Sequence, residues 1–375
     1  MIRRRIVIAI LVFVLFLAPI VYGPSLAEPP ITYLYTSEVT YTNLGETALT
    51  FEVNDLMANI FPNTSRQTTH LVEAYSSLGL VSDADSNPCL LFSSKIVPPS
   101  ENITLNLSLQ IRSMATAPPK ISFEPSGELS DIPTNLGRYL ESGGSTWQGD
   151  DLRIRALAQN ISARAGNTRN VLRIVVAAAD WVGQNIIPAS HDLAYSPVET
   201  YLAREGDCDD QALLLIAILR SLGVPAYLQV GAIHSGRSER VSYWNDHVTS
   251  ALTNIAYHGW AMVYVPPWGW LPLDMTLGWR RDDSLAVVGK APVWSSDVLV
   301  MLNAVTMDWV GNGKESKEWV LSKNVSILIE DTLLRELSMF EAFRGVYPWL
   351  LAVTLLSVTL YIILDSLRRH SRAPT

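Results

Sequence analysis

Between Ile31 and Arg112 apolar and polar residues alternate in short runs. The stretch YLYTSEVTYTNLGETALTFEV changes side residue by residue and is broken at Asn43, Leu44 and Gly45. In NITLNLSLQI, the side chains of Ile103, Leu105, Leu107, Leu109 and Ile111 fall on one face. A period of two between turn residues predicts antiparallel strands, and hence a β-sandwich-like domain over 28–115. Residues 116–150 are rich in proline, glycine and serine and predict a linker. The period then changes to that of a helix. One helix is predicted from Asp151 to Ala163. A second runs from Val171 to Asn185, with Val171, Ile174, Val175, Ala178 and Val182 on one side. A third includes Leu213 to Leu222 and stops at Gly223, Val224 and Pro225. Four strand patterns follow: AYLQVGAI, HVTSAL, GWAMVYV and GWLPLDM. A helical half followed by an antiparallel half predicts an α+β core over 151–290. The extension over 291–344 carries one strand pattern, NVSILIE, and a predicted amphipathic helix, without a catalytic signature.

The two ends break this pattern. Ile6 to Ala27 and Gly345 to Leu364 carry no charge. Each is about the length that crosses a ~30 Å hydrocarbon layer as a helix. Arg3, Arg4 and Arg5 precede the first run, and Arg368, Arg369 and Arg372 follow the second. Residues 1–27 are expected to be a signal anchor or a cleaved signal peptide, with Ser25 to Ala27 as a small-residue cleavage site. Residues 345–364 are expected to be a transmembrane helix and 365–375 a cytoplasmic tail. The positive-inside rule then puts the middle of the chain outside the cytoplasm. Asn63, Asn102, Asn106, Asn160 and Asn324 head glycosylation sequons there. The net charge is −8, and no basic stripe exists to neutralise phosphates, so no nucleic-acid partner is expected.

Chemistry concentrates at Cys208, one of two cysteines. Asp207 can cap a helix that begins at Cys208, and Gly206 lets the chain turn into it. The free N–H groups of a helix start favour a thiolate. The neighbouring carboxylates of Asp207, Asp209 and Asp210 oppose it. Ionisation therefore calls for an imidazolium. Among six histidines, His258 has the best context, and His247 is its rival. His258 opens HGWAMVYVPPWGWLPLDMT, which reads as a hairpin. With a connection from Val265 to Gly269, Tyr264 faces Trp270. Asp274 then falls on the His258 face, within hydrogen-bond reach. Asp209 and Asp210 are read as helix-start residues, and no metal-binding pattern is present, so neither metal nor cofactor is expected.

Gly-x-Cys entering a helix that ends LRSLGVPAY, then His-x-Trp, then Gly-Trp-x-x-x-Asp-x-Thr, resembles the transglutaminase-like superfamily over about Asp151 to Arg280. The resemblance implies a papain-like α+β fold and a Cys208, His258 and Asp274 triad. It also implies acyl transfer through a thioester on a protein or peptide substrate. Cys208 would be the nucleophile, His258 the general base and acid, and Asp274 the residue that orients the imidazole. The Cys208 N–H is a natural oxyanion donor, with Trp181, Gln184 or Tyr195 as the second. Trp260, Trp270 and His247 are expected near a substrate cleft. Many members carry Glu where Met262 stands. Hydrolysis is favoured over cross-linking, because water is abundant outside the cell and nothing in the sequence selects an amine. The alternative is a silent core acting as a surface binding or assembly module.

Overall fold

A computed structural model describes residues 30–336, apart from 53–54, 75–76, 278–284, 286–287 and 289–291, together with helical positions 349, 352–354, 356–357, 359–360 and 364. It divides into one unit of Tyr33–Arg335 and another of Met1–Thr32 with Glu336–Thr375. The expected N-terminal anchor and cytoplasmic tail lie outside the described residues, as does part of the 345–364 run. Among the described residues no helix is long and apolar enough to cross a membrane.

The strands begin with β1 (Ile31–Asn43), β2 (Leu49–Phe51), β3 (Met57–Asn59) and β4 (Gln67–Ala74). They are followed by β5 (Ser77–Ser82), β6 (Pro88–Phe92), β7 (Lys95–Val97) and β8 (Asn102–Ser113). Helices α1 (Leu152–Arg164), α2 (Val171–Asn185), α3 (Pro197–Ala203) and α4 (Cys208–Ser221) come next. Two short strands, β9 (Ile187–Pro188) and β10 (Glu205–Gly206), lie between them. The remaining elements are β11 (Ala226–Trp244), β12 (Val248–Val265), β13 (Gly269–Leu273), β14 (Val298–Ala304), α5 (Trp309–Lys323) and β15 (Val325–Glu336).

One sheet runs in the order β14-β11-β12-β15-β1-β8-β4, with β13 also paired to β12. The strands expected to form a separate sandwich over 28–115 are thus divided. β1, β8 and β4 continue the sheet of the core, while β2–β7 and β3–β6–β5 make two small sheets. Alternating patterns identify strands but not their partners, because pairing is set by distant edges. Asp331 of β15 helps to tie the halves: it accepts hydrogen bonds from Tyr35 Oη of β1 (3.1 Å) and Tyr257 Oη of β12 (2.6 Å). The segment expected as a linker also packs onto the core. Ile121, Phe123, Leu129 and Ile132 lie against it, and Trp147 is buried in it.

The long strand β12 has two neighbours on one edge. Val248 to Thr253 pair in parallel with β15, and Ala261 to Val265 pair antiparallel with β13. The two patterns HVTSAL and GWAMVYV are therefore one strand. Against β11 and β12 lies α4, whose residues from Asp210 to Arg220 are all buried. A helix apolar on every side belongs inside a domain. Its one buried cation, Arg220, donates to the carbonyls of Ala226 (2.8 Å), Glu141 (2.7 Å) and Val305 (3.0 Å). Burial pulls its guanidinium down to about 9.

Candidate active site

The start of α4 is fixed by its own acidic residues. Asp207 N–H donates to Asp210 Oδ2 (3.1 Å), and the Asp207 carboxyl faces the Asp210 N–H in return. Asp210 Oδ1 accepts from the Tyr195 N–H (2.6 Å), and Gln211 Nε2 donates to the Gly206 carbonyl (2.9 Å). A Cβ on Gly206 would lie 2.6 Å from the Asp210 Cβ, so only glycine lets the chain pass this close. Cys208 is left at the first helical position, half-buried. Burial pushes its thiol up to about 12, and the Asp209 and Asp207 charges add to that. The N–H groups of Gly259 and Asp209 lie at the sulfur and act in the opposite sense.

Asp207 is raised to about 8, first by burial, then by its hydrogen bond to Asp209 and the charges of Asp209 and Asp210. Two carboxyl groups in hydrogen-bond contact need a proton between them. Asp207 Oδ1 is buried and has no hydrogen-bond partner among the described residues. Donor atoms of Asp207, Cys208 and Asp209 all lie within 4.8 Å of one another. Among the described residues this is the one group of three such donor atoms so close together, and a proton between the carboxyl groups accounts for their approach without an ion. Beside them opens a cleft of about 420 Å³, lined by His191, Leu193, Asp207, Asp209, Met307 and Trp309 among others. Trp309 Nε1 donates to Asp209 Oδ2 (2.8 Å).

His258 comes from β12, immediately before the glycine that touches the sulfur. The β12–β13 register pairs Tyr264 with Trp270 and Ala261 with Leu273. It carries Asp274, one residue past the strand, to His258. The His258 Nε2–H donates to Asp274 Oδ2 (2.7 Å), with both side chains buried. The other oxygen, Oδ1, accepts from Thr276 N–H (3.0 Å), Thr276 Oγ1 (3.1 Å) and Leu277 N–H (2.9 Å). Burial pushes the Asp274 carboxyl up, but the His258 hydrogen bond and charge and these N–H donors outweigh it and hold it below its ordinary value. The carboxylate thus stays charged and fixes the imidazole with Nε2 occupied. Nδ1 is the nitrogen left to exchange a proton. Among the described residues no hydrogen bond joins the thiol to a histidine; the two backbone N–H groups favour its anion, and the Asp207 and Asp209 carboxyl groups oppose it.

Several expected cleft residues sit elsewhere. Trp260 is 1% exposed and cannot line a cleft. Its ring packs on Gly231, where a Cβ would meet it at 2.5 Å, and lies 5.9 Å from the His258 ring. Its Nε1 donates to Gln229 Oε1 (3.1 Å). Trp270 packs against Tyr139, Tyr227 and Tyr264 and is absent from the lining of the cleft beside Asp207 and Asp209. His247 lies in the turn joining β11 to β12, with Nδ1 at the Val325 carbonyl (2.9 Å). The strand length between it and His258 is on the order of 35 Å at ~3.3 Å per residue, so it is no rival base. Of the oxyanion candidates, Tyr195 has its backbone N–H committed to Asp210. Gln184 is exposed, and Trp181 lies beside Tyr201 with the Arg204 guanidinium over its ring. Sequence reading missed Trp309. Its only signal was an indole in an extension with no motif.

Residues 155–275, which contain this arrangement, match the family model of the transglutaminase-like superfamily. The matched segment is a transglutaminase-like domain. YebA, an uncharacterized protein of Bacillus subtilis (strain 168), is 27% identical over 137 residues. That match covers 34% of this chain and 18% of YebA, so the chain spans under a fifth of that relative's length. A crystal structure of a candidate cysteine protease from Cytophaga hutchinsonii superposes with a TM-score of 0.51 at 16% identity. It covers 83% of this chain and 91% of that one, which shows a shared fold well beyond the transglutaminase-like segment. The periplasmic domain of TgpA from Pseudomonas aeruginosa superposes with a TM-score of 0.31 at 13% identity, over 67% of this chain and 90% of that one.

Proposed function

We propose that the chain is a membrane-anchored, extracytoplasmic cysteine enzyme that transfers acyl groups through Cys208, His258 and Asp274. The buried 2.7 Å His258–Asp274 hydrogen bond, one residue from the glycine that touches the thiol, carries this reading. Cys208 Sγ adds to an amide carbonyl while its proton passes to His258. The C–N bond then breaks, the amine leaves with that proton, and a thioester remains. Water adds to the thioester, giving its proton to His258, and the carboxylic acid departs as the thiol is restored. The N–H groups at the helix start favour the anionic intermediate. Hydrolysis is the favoured outcome over transamidation.

The anchoring rests on the charge-free runs at both ends. Trp349, Val353, Leu356, Leu360 and Leu364 in the second run are helical positions with exposed apolar side chains. The sequon asparagines Asn63, Asn102, Asn106, Asn160 and Asn324 are all exposed. Carbonate extraction of membranes and protease shaving of intact cells test this placement. Release by carbonate, or full protection of the middle of the chain, contradicts it.

One observation favours the silent module: burial and the Asp209 charge disfavour the thiolate, and among the described residues no histidine is hydrogen-bonded to the thiol. Alkylation separates the two readings. In a Cys89→Ala background only Cys208 can react. The enzyme reading predicts iodoacetamide labelling that slows at least tenfold in His258→Ala, and peptide hydrolysis that is lost in Cys208→Ala. Labelling indifferent to His258 supports the silent module instead.

A further inference from the structure

Trp309 lies outside the transglutaminase-like segment, yet its indole N–H reaches the residue next to the nucleophile. Its position is determined from three directions. Asp308 caps α5 and accepts from Thr146 Oγ1 (2.6 Å), Ser145 N–H (3.1 Å) and Gly311 N–H (3.2 Å). Glycine is required around that carboxylate: a Cβ on Gly311 would lie 2.3 Å from Asp308 Oδ2, and one on Gly144 2.7 Å from it. Trp147 Nε1 donates to the Met307 carbonyl (3.0 Å). From the turn between β5 and β6, Asp85 accepts from the N–H groups of Val305 (2.7 Å), Thr306 (2.9 Å) and Met307 (2.9 Å), and from Thr306 Oγ1 (2.6 Å). Burial pushes the Asp85 carboxyl up, but these donors outweigh it and keep it below its ordinary value. The Asp85 carboxylate and the Trp147 indole thus hold Val305 to Met307, and the Asp308 carboxylate ties the start of α5 to Ser145 and Thr146, immediately before Trp309.

A hydrogen bond at 2.8 Å to a carboxylate is short and charge-assisted. It holds Asp209 Oδ2 on the cleft wall and directs a positive N–H dipole at the charge that most opposes a thiolate after burial itself. We propose that Trp309 is a positioning residue that sets the reactivity of Cys208 through Asp209, so that the segments flanking the transglutaminase-like domain complete its nucleophile. This rests on Cys208 being the nucleophile. Among the described residues, Asp207 and Asp210 share the helix start with Asp209, His191 and Asp192 line the same cleft, and His258 precedes Gly259, which packs on Asp209.

The test is the pH profile of Cys208 alkylation by iodoacetamide, in the otherwise full-length Cys89→Ala protein. Trp309→Phe keeps the apolar wall and removes the donor. It should slow labelling at pH 7 about threefold and move the profile to higher pH. Asp209→Asn should move it to lower pH. In the Asp209→Asn background Trp309→Phe should have no further effect, because the group it acts on is gone. A Trp309→Phe profile that superposes on the parent overturns the proposal, as does a shift of equal size in both backgrounds. Asp209→Asn alone decides the matter if Trp309→Phe does not fold: an unmoved profile overturns it. Loss of His258 dependence with the Trp309–Asp209 coupling intact would count against the triad only. A Cys208 that reacts at no pH overturns both.

Discussion

Asp209 and Gly259 meet almost backbone to backbone: a Cβ on Gly259 would lie 3.1 Å from the Asp209 Cβ and 3.4 Å from its Cα. The first turn of α4 is thereby seated on β12, with the sulfur of Cys208 at the Gly259 N–H. Gly259→Ala should push the helix start away by a few tenths of an ångström. The expected stability cost is modest, about 1–2 kcal/mol by overpacking. The expected loss of Cys208 labelling is larger, about tenfold. Thermal unfolding and alkylation rates measured on the same sample check whether reactivity falls further than stability.

Asp274 has a different signature. Asp274→Asn keeps the shape but removes the charge that stabilises an imidazolium. Acyl-transfer activity should fall by about 10²- to 10⁴-fold with little change in folding. Asp274→Ala should also destabilise, by about 3 kcal/mol, since it strands the buried His258 and the N–H groups of Thr276 and Leu277. Turnover and denaturant midpoints of the two variants make the comparison.

Asp207 and Asp274 should bend the stability profile in opposite senses. Asp207 is raised from 3.8 to about 8 in the folded chain. Its contribution is full below the unfolded value and is lost as pH rises through about 8. Asp274 is depressed. Its contribution is present above the unfolded value and is lost as pH falls through the folded one. Asp207→Asn, which can still cap α4, should therefore raise the melting temperature more at pH 8.5 than at pH 5. Equal changes at the two pH values contradict the shared proton.

Local periodicity made the helices and the hairpin legible. Val171 to Asn185 matches α2 in both bounds, and the Tyr264–Trp270 pairing follows from counting along the loop. The His258–Asp274 contact was reachable because it depends on one short register. The shared sheet was not, since β15 joins β12 to β1 across most of the chain and no alternation encodes a distant partner. Trp260 misled for a related reason. It shares a strand face with His258, but Gly231 on the neighbouring strand opens a slot that swallows the indole. The extension was legible only in part: NVSILIE marks β15, but β14 is a short apolar run, and α5 contains Gly311 and Gly313, which weaken a helical reading.

The most direct measurement is trapping of the covalent intermediate. The Cys89→Ala protein, mixed with an activated acyl ester or a peptide substrate and quenched in acid, is analysed by intact mass and peptide mapping. The account predicts one acyl group on Cys208, formed in the parent and strongly reduced in His258→Ala and Asp274→Asn. An acyl adduct that forms equally well without His258, or none on Cys208 while substrate is still turned over, contradicts it.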